Sequence, residues 1–139
     1  MSTLAKLSVA TLVAVLVAGC AGVGGKSDMD QISEVISGWK TGVETQNIDQ
    51  ATANYSDDYQ DAQASSKADV IEFLKGVKDQ GMLENAKVSD KDAKISIDKE
   101  KNEATAGPYD ITSDAGGWTI DIYLKKESGG WKIVSVDVY

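Results

Sequence analysis

Residues 123–137 read YLKKESGGWKIVSVD. Just before them, and running into them, Ile120, Ile122 and Leu124 alternate with Asp121, Tyr123 and Lys125. That period of two places one face of a strand in a core and the other in water. Ser128-Gly129-Gly130 then supplies turn residues, and Trp131 and Ile133 follow one pleat apart in a second β-rich run. Two such runs joined by a short glycine turn make a β-hairpin. The C-terminal part of the chain is therefore predicted as antiparallel sheet, and its apolar face needs a cover.

Upstream, EATAGPYDITSD (103–114) and AKISID (93–98) read as further strands, separated by KEKN (99–102) and AGG (115–117), with NAKVSD (85–90) as a possible extra one. Before Met82 the period changes. From Asp28 to about Gln46, Ile32, Val35, Ile36, Trp39 and Val43 follow one helical face, with Ser27 or Asp28 as cap and Asp30 and Glu34 near the positive end of the dipole. A shorter helical piece, 47–55, opens with NIDQA, and SDDYQDAQASS (56–66) reads as loop. A third helix starts at the cap Ser66 with Asp69 three residues on, directs Val70, Ile71, Phe73, Leu74 and Val77 inward, and stops at Gly81. The predicted class is α+β: three N-terminal helices on one face of a curved antiparallel sheet of four to five strands.

In this order, with YSDDY (55–59) after the first helices, DVIEFLKG (69–76) in the third and YLKKESGGWKIVSVD at the end, the chain resembles the nuclear transport factor 2-like superfamily over 28–139. The resemblance implies a cone-shaped domain whose mouth holds a ligand, as in ketosteroid isomerases, SnoaL-like polyketide cyclases and binding-only lipoproteins. The aromatics available to line such a mouth are Trp39, Tyr55, Tyr59, Phe73, Trp118 and Trp131. Trp39 and Trp131 read first as core, while Tyr55 and Tyr59 bring hydroxyls that need partners when buried. An isomerase-like reaction would use Asp58 or Asp121 as base and Tyr55, Tyr59 or Tyr123 as donor, although no catalytic motif of the family falls on them. Histidine-dependent dehydratase chemistry of the scytalone type is excluded, since the chain has no histidine.

The stretch LVAVLVAGCAGVGGKS (12–27) holds the single cysteine. The uncharged run 7–18 is shorter than the ~20 residues a membrane span needs and follows Lys6, which is the form of a signal-peptide core. Val17-Ala18-Gly19-Cys20 resembles the lipobox of bacterial lipoproteins, in which the cysteine becomes a diacylglyceryl thioether, the leader is cut before it, and the new amino terminus is acylated, commonly with palmitate. Two or more chains give firm anchoring where one gives only marginal binding. The expected organisation is a leader over 1–19, a lipidated Cys20 with a flexible tether to residue 27, and one domain over 28–139. GGKS ends like a phosphate-binding loop, but Cys20 stands where its first glycine belongs and no strand precedes it.

Lys and Arg number 14 against 22 Asp and Glu. Such an acidic surface repels nucleic acid, so no nucleic-acid partner is expected. A lone cysteine allows no internal disulfide, and without histidine neither a metal nor another cofactor is expected. DDYQD (57–61) and DKEKNE (98–103) cluster carboxylates, but the second has Glu103 where a calcium loop requires glycine. Asn54-Tyr55-Ser56 matches the glycosylation triplet by chance. The expected protein is a non-catalytic lipoprotein of the bacterial envelope. Its cone takes a small apolar ligand at an aromatic-lined cavity, or else it is filled and an apolar patch on the outer sheet meets an envelope protein or a second copy. The alternative is an acid–base enzyme of the isomerase or cyclase type. Ala21, rather than aspartate, after Cys20 favours the periplasmic face of the outer membrane in a cell that has one.

Overall fold

The computed structural model describes residues 25–139. Cys20 and the leader expected over 1–19 lie outside that range. Three helices, α1 (Asp28–Glu44), α2 (Ile48–Thr52) and α3 (Lys67–Asp79), precede five strands, β1 (Lys87–Ser89), β2 (Lys94–Asp98), β3 (Glu103–Ser113), β4 (Gly116–Glu127) and β5 (Gly130–Val138). The α+β prediction holds. Every strand pairing is antiparallel, with β3 beside β4 and β4 beside β5, while β1 and β2 both pair with β3 along its other edge.

Ser27 caps α1, its Oγ accepting the Asp30 N–H at 3.1 Å, and Ser66 caps α3 by the same bond from Asp69. α1 ends in a Schellman motif: the Gln46 N–H donates to Val43 O, the Asn47 N–H to Gly42 O, and Gln46 takes φ 56°. Asn47 then caps α2 directly through Oδ1, which accepts from Gln50 N at 3.1 Å. The chain turns so sharply here that α2 folds onto α1. A Cβ on Gly42 would fall on the Ala51 backbone and 2.7 Å from the Ala51 Cβ. The predicted short helix runs to Thr52 rather than Tyr55 because Tyr55 leaves it to form a parallel bridge with Ile133 of β5. Around that bridge Ser56 N donates to Ile133 O at 2.8 Å, Ile133 N to Asn54 O at 2.8 Å and Gln60 N to Val134 O at 3.1 Å, covering the middle of the β5 edge.

The inner face of the sheet carries Ala104, Ala106, Tyr109 and Ile111 from β3, Ile120, Ile122 and Leu124 from β4, and Trp131, Ile133 and Val136 from β5. Against it lie Ile32, Val35, Ile36, Trp39 and Val43 of α1. The register of β3 on β4 shifts between Ala106 and Tyr109, around Gly107 and Pro108, a bulge that bends the strand and accommodates a residue without an N–H. One sequence expectation is corrected. Phe73 is 47 % exposed, and Val70 alone among the α3 residues is buried. Ile71, Leu74 and Val77 are only partly buried against the core, so the apolar face of α3 is wider than its contact.

At the other end, the Asp28 carboxylate accepts from Trp131 Nε1 at 3.0 Å and from Lys126 Nζ at 2.9 Å. This clasp fastens the start of α1 to the β4–β5 hairpin.

Two outcomes follow. Gly42→Ala gains about 1 kcal/mol of intrinsic helix preference but collides with the Ala51 backbone, and overpacking of about 1–3 kcal/mol or more prevails. A lower thermal midpoint is therefore expected by calorimetry, with Gly38→Ala, whose Cβ meets nothing within 4 Å, as the harmless control. The second concerns Asp28, whose hydrogen bonds from Lys126 and then Trp131 hold its carboxyl below the usual carboxylate range. A depressed folded-state pKa contributes stability that is present above the unfolded value and is lost as pH falls through the folded one. In urea titrations at stepped pH, wild type should lose its advantage over Asp28→Asn as pH drops below about 4, and keep it undiminished at neutral pH.

Candidate functional site

A cavity of about 170 Å³ lies between α3 and the end of the sheet that carries Ile111, Trp118, Ile120 and Val138. Leu74 and Val77 form its helix wall with Phe73 at the rim; Met82 and Leu83, which follow the helix, close one side. Ile111, Trp118, Ile120 and Val138 provide the floor from β3, β4 and β5, and Gln63 reaches in from the preceding loop. Gly81, at φ 74°, ends α3 with a second Schellman motif, in which Met82 N donates to Val77 O at 3.1 Å, and this turns Met82 and Leu83 back towards the sheet.

Every lining side chain but Gln63 is apolar, and none is ionisable. Phe73 and Val138 are 47 % and 43 % exposed and mark the opening. The arrangement can desolvate an apolar group, but it offers no acid, base or nucleophile to a reacting atom.

Of the six aromatics singled out from sequence, Phe73 and Trp118 reach this mouth. The other four are packed elsewhere. Trp39 meets Tyr109 with ring centroids 5.6 Å apart and planes tilted by 56°, and Trp131 is held in the clasp to Asp28. Tyr55 and Tyr59 stack at 4.8 Å with planes within 12° of parallel, and the Tyr59 hydroxyl donates to Asp61. Asp61 is in turn fixed by the N–H groups of Gln63 and Ala64, at 2.7 and 2.8 Å from its Oδ1. Burial raises both phenols well above the ordinary tyrosine range, and for Tyr59 the neighbouring Tyr55 and Asp61 add to it. Both stay neutral and serve the packing.

The candidate bases stand away from the mouth. Asp58 is exposed in the turn after Tyr55, where its N–H donates to Ser56 Oγ at 3.1 Å. Asp121 lies on the outer face of β4, directly opposite Asp137 of β5, and accepts from the Tyr139 hydroxyl at 2.9 Å. Tyr123, named as its donor, bonds Asp137 instead, at 3.0 Å. The outer face around them is polar, with Thr105, Thr119, Ser135 and these tyrosines and aspartates in place of an apolar patch. Among the described residues no group of three or more metal-type ligands converges, and no helix is long and apolar enough to cross a membrane.

Sequence reasoning missed Gln63, Met82, Leu83, Ile111 and Val138 as lining residues, and read Leu74, Val77 and Ile120 as core. The alternation of β3 and β4 assigns Ile111 and Ile120 to the inner face, but only the packing of α3 separates a lining position from a packed one.

No family model and no curated protein matches the chain. Solved structures do. An uncharacterised protein with a cystatin-like fold from Caulobacter vibrioides aligns with TM-score 0.66 at 10% identity, over 80% of this chain and 87% of that one. A nuclear transport factor 2-like protein of unknown function from Shewanella baltica OS155 aligns with TM-score 0.62 at 17% identity, over 83% and 98%. A putative calcium/calmodulin-dependent protein kinase II association domain from Xanthomonas campestris aligns with TM-score 0.57 at 11% identity, over 81% and 87%. At these identities the likeness concerns architecture, and the architecture of residues 28–139 is the cystatin-like, nuclear transport factor 2-like α+β cone.

Proposed function

We propose that this protein is a lipid-anchored binding domain of the bacterial envelope, non-catalytic, whose cone mouth takes a small apolar group. The observation that carries the reading is the lining of the mouth, apolar apart from Gln63 and free of ionisable side chains. Acid–base chemistry of the isomerase type needs a carboxylate within hydrogen-bond reach of the substrate, and Asp58 and Asp121 sit in a solvated turn and on the outer sheet face. At about 170 Å³ the cavity is close to the ~150 Å³ apolar cavity that accepts benzene, and far below the ~300 Å³ lower limit of drug-sized pockets. The ligand class that suits it is one ring or a short acyl segment, alone or as the end of a larger molecule. The anchor rests on the leader and on Val17-Ala18-Gly19-Cys20.

Burying roughly 150 Å² of apolar surface at ~25 cal/mol per Å² gives about 4 kcal/mol, a Kd on the order of 1 mM. Benzene and hexanol titrated into 15N-labelled protein should move amide signals of residues 73–83, 111, 118–120 and 138, and Phe73→Ala should weaken both without altering the thermal midpoint. Scattered shifts, or none up to the solubility limit, would remove the mouth as a binding site. For the anchor, cells fed labelled palmitate should incorporate label into wild type and retain it in the membrane fraction, whereas Cys20→Ser should be unlabelled and released; an unlabelled wild type sinks that part of the reading.

A further inference from the structure

The sheet has two edges, and their treatment differs. On the β5 edge, Ile133 and Val134 are bonded to residues 54–60. On the other side, β1 is short and its Val88 N–H donates to Glu44 Oε2 of α1 at 3.2 Å. β2 has no such cover: among the described residues, no backbone group of Lys94–Asp98 bonds to anything outside its ladder with β3. An uncovered row of N–H and C=O groups is a template for another strand. Hollows of about 420 and 330 Å³ border β2, the first reaching Ser96 and Asp98 and the second Ile95, which leaves room for a neighbour's side chains.

We propose that β2 is an interface between two copies of this chain, paired antiparallel about a two-fold axis through Ser96, so that one sheet runs through both. This surface is separate from the mouth and does not depend on the binding role given to it. The strand reads KISID and is self-complementary about its centre. Lys94 falls opposite Asp98 of the second copy, and Asp98 opposite its Lys94. Ile95 falls opposite Ile97, twice, on the inner side where Ala106 and Ala104 are their partners in β3. Ile95 and Ile97 are half-buried in the single chain, packed on the core from one side only.

Other registers fail on charge or burial. Centring the pair on Ile95 sets Asp92 against Asp98, and centring it on Ile97 sets Ile95 against Lys99. A centre between two residues sets inner-face side chains against outer-face ones, since opposed residues share a face. The charges that shield this edge from foreign strands thus become attractive in one arrangement. Five paired residues bury less than a stable interface requires, so the product is a weak monomer–dimer equilibrium, the same patch serving both partners.

The test mixes equal amounts of unlabelled and 15N-labelled full chain and treats them with a carbodiimide, which joins a carboxylate to an amine only at contact. Within one chain Lys94 and Asp98 are about 13 Å apart along the strand, so a Lys94–Asp98 cross-link carrying one labelled and one unlabelled peptide reports pairing between copies. That mixed peptide is expected; its absence while other cross-links form overturns the proposal. Sedimentation in detergent provides the second readout. Lys94→Asp and Asp98→Lys should each lower the dimer association constant at least about tenfold, and the two together should restore it to within about threefold, the signature of a coupled pair. Single variants that leave association unchanged, or a double variant that restores nothing, rule out this register.

Discussion

The inner row formed by Ile122, Leu124 and Ile133, from which water is completely or almost completely excluded, is the constraint that the other elements answer to. Ile122 and Leu124 are successive inward positions on β4, and Leu124 stands opposite Ile133 across the β4–β5 ladder. A row of three large aliphatic side chains on one sheet face cannot remain wet, since each is worth about 1.5–3 kcal/mol when buried. α1 supplies the cover with Ile32, which is itself fully buried, and with Trp39. The Asp28 clasp at one end and the Gly42–Ala51 approach at the other then set where α1 lies. The first ties its opening turn to Trp131 and Lys126, and the second lets α2 fold back upon it.

α1 and α2 pack on each other, and α3 leaves part of the space between itself and the sheet unfilled. Its single buried residue, Val70, lies in the first turn, while Ile71, Leu74 and Val77 are only partly buried against the core. The mouth is a packing deficit with a location. A void lined by Leu, Ile and Val costs the fold dispersion contacts that a tighter helix would recover. The chain carries that cost beside an otherwise well-filled interior, in which Trp39, Tyr55, Tyr59, Tyr109 and Trp131 are all withdrawn from water. A cavity beside a tight core, with an exposed Phe73 at its rim, is organised differently from a generally loose interior.

The sequence carried much of this openly. Period-two alternation in 120–125 and the turn residues at 115–117 and 128–130 mark the hairpins, and Ser27 and Ser66 mark both long helices, because these signals act over a few residues. The site was less legible. Phe73 has the spacing of a core residue, and its exposure is decided by how α3 packs against strands more than 30 residues away, which local periodicity does not encode. Tyr55 and Tyr59 looked like pocket donors for the converse reason: their pairing with each other and the capture of the Tyr59 hydroxyl by Asp61 depend on how the 54–60 segment docks on β5. Asp121 did acquire a tyrosine donor, but on the solvent side, because strand alternation sends it to the face opposite Ile120 and Ile122.

Position along β4 connects the two ends of the molecule. Lys126, in the clasp with Asp28, and Trp118, in the floor of the mouth, are eight residues apart on one strand, about 26 Å at ~3.3 Å per residue. The domain therefore begins at the end of the sheet remote from its apolar opening. Under the proposed anchor at Cys20, residues 21–27 reach at most roughly 25 Å, and Gln31 further ties the chain down by donating from Nε2 to Lys26 O at 2.9 Å. That anchor would keep the clasped end within reach of the bilayer, with the mouth at the far end of the sheet. On that reading a ligand would enter from the aqueous side rather than by lateral extraction from the leaflet that holds the anchor.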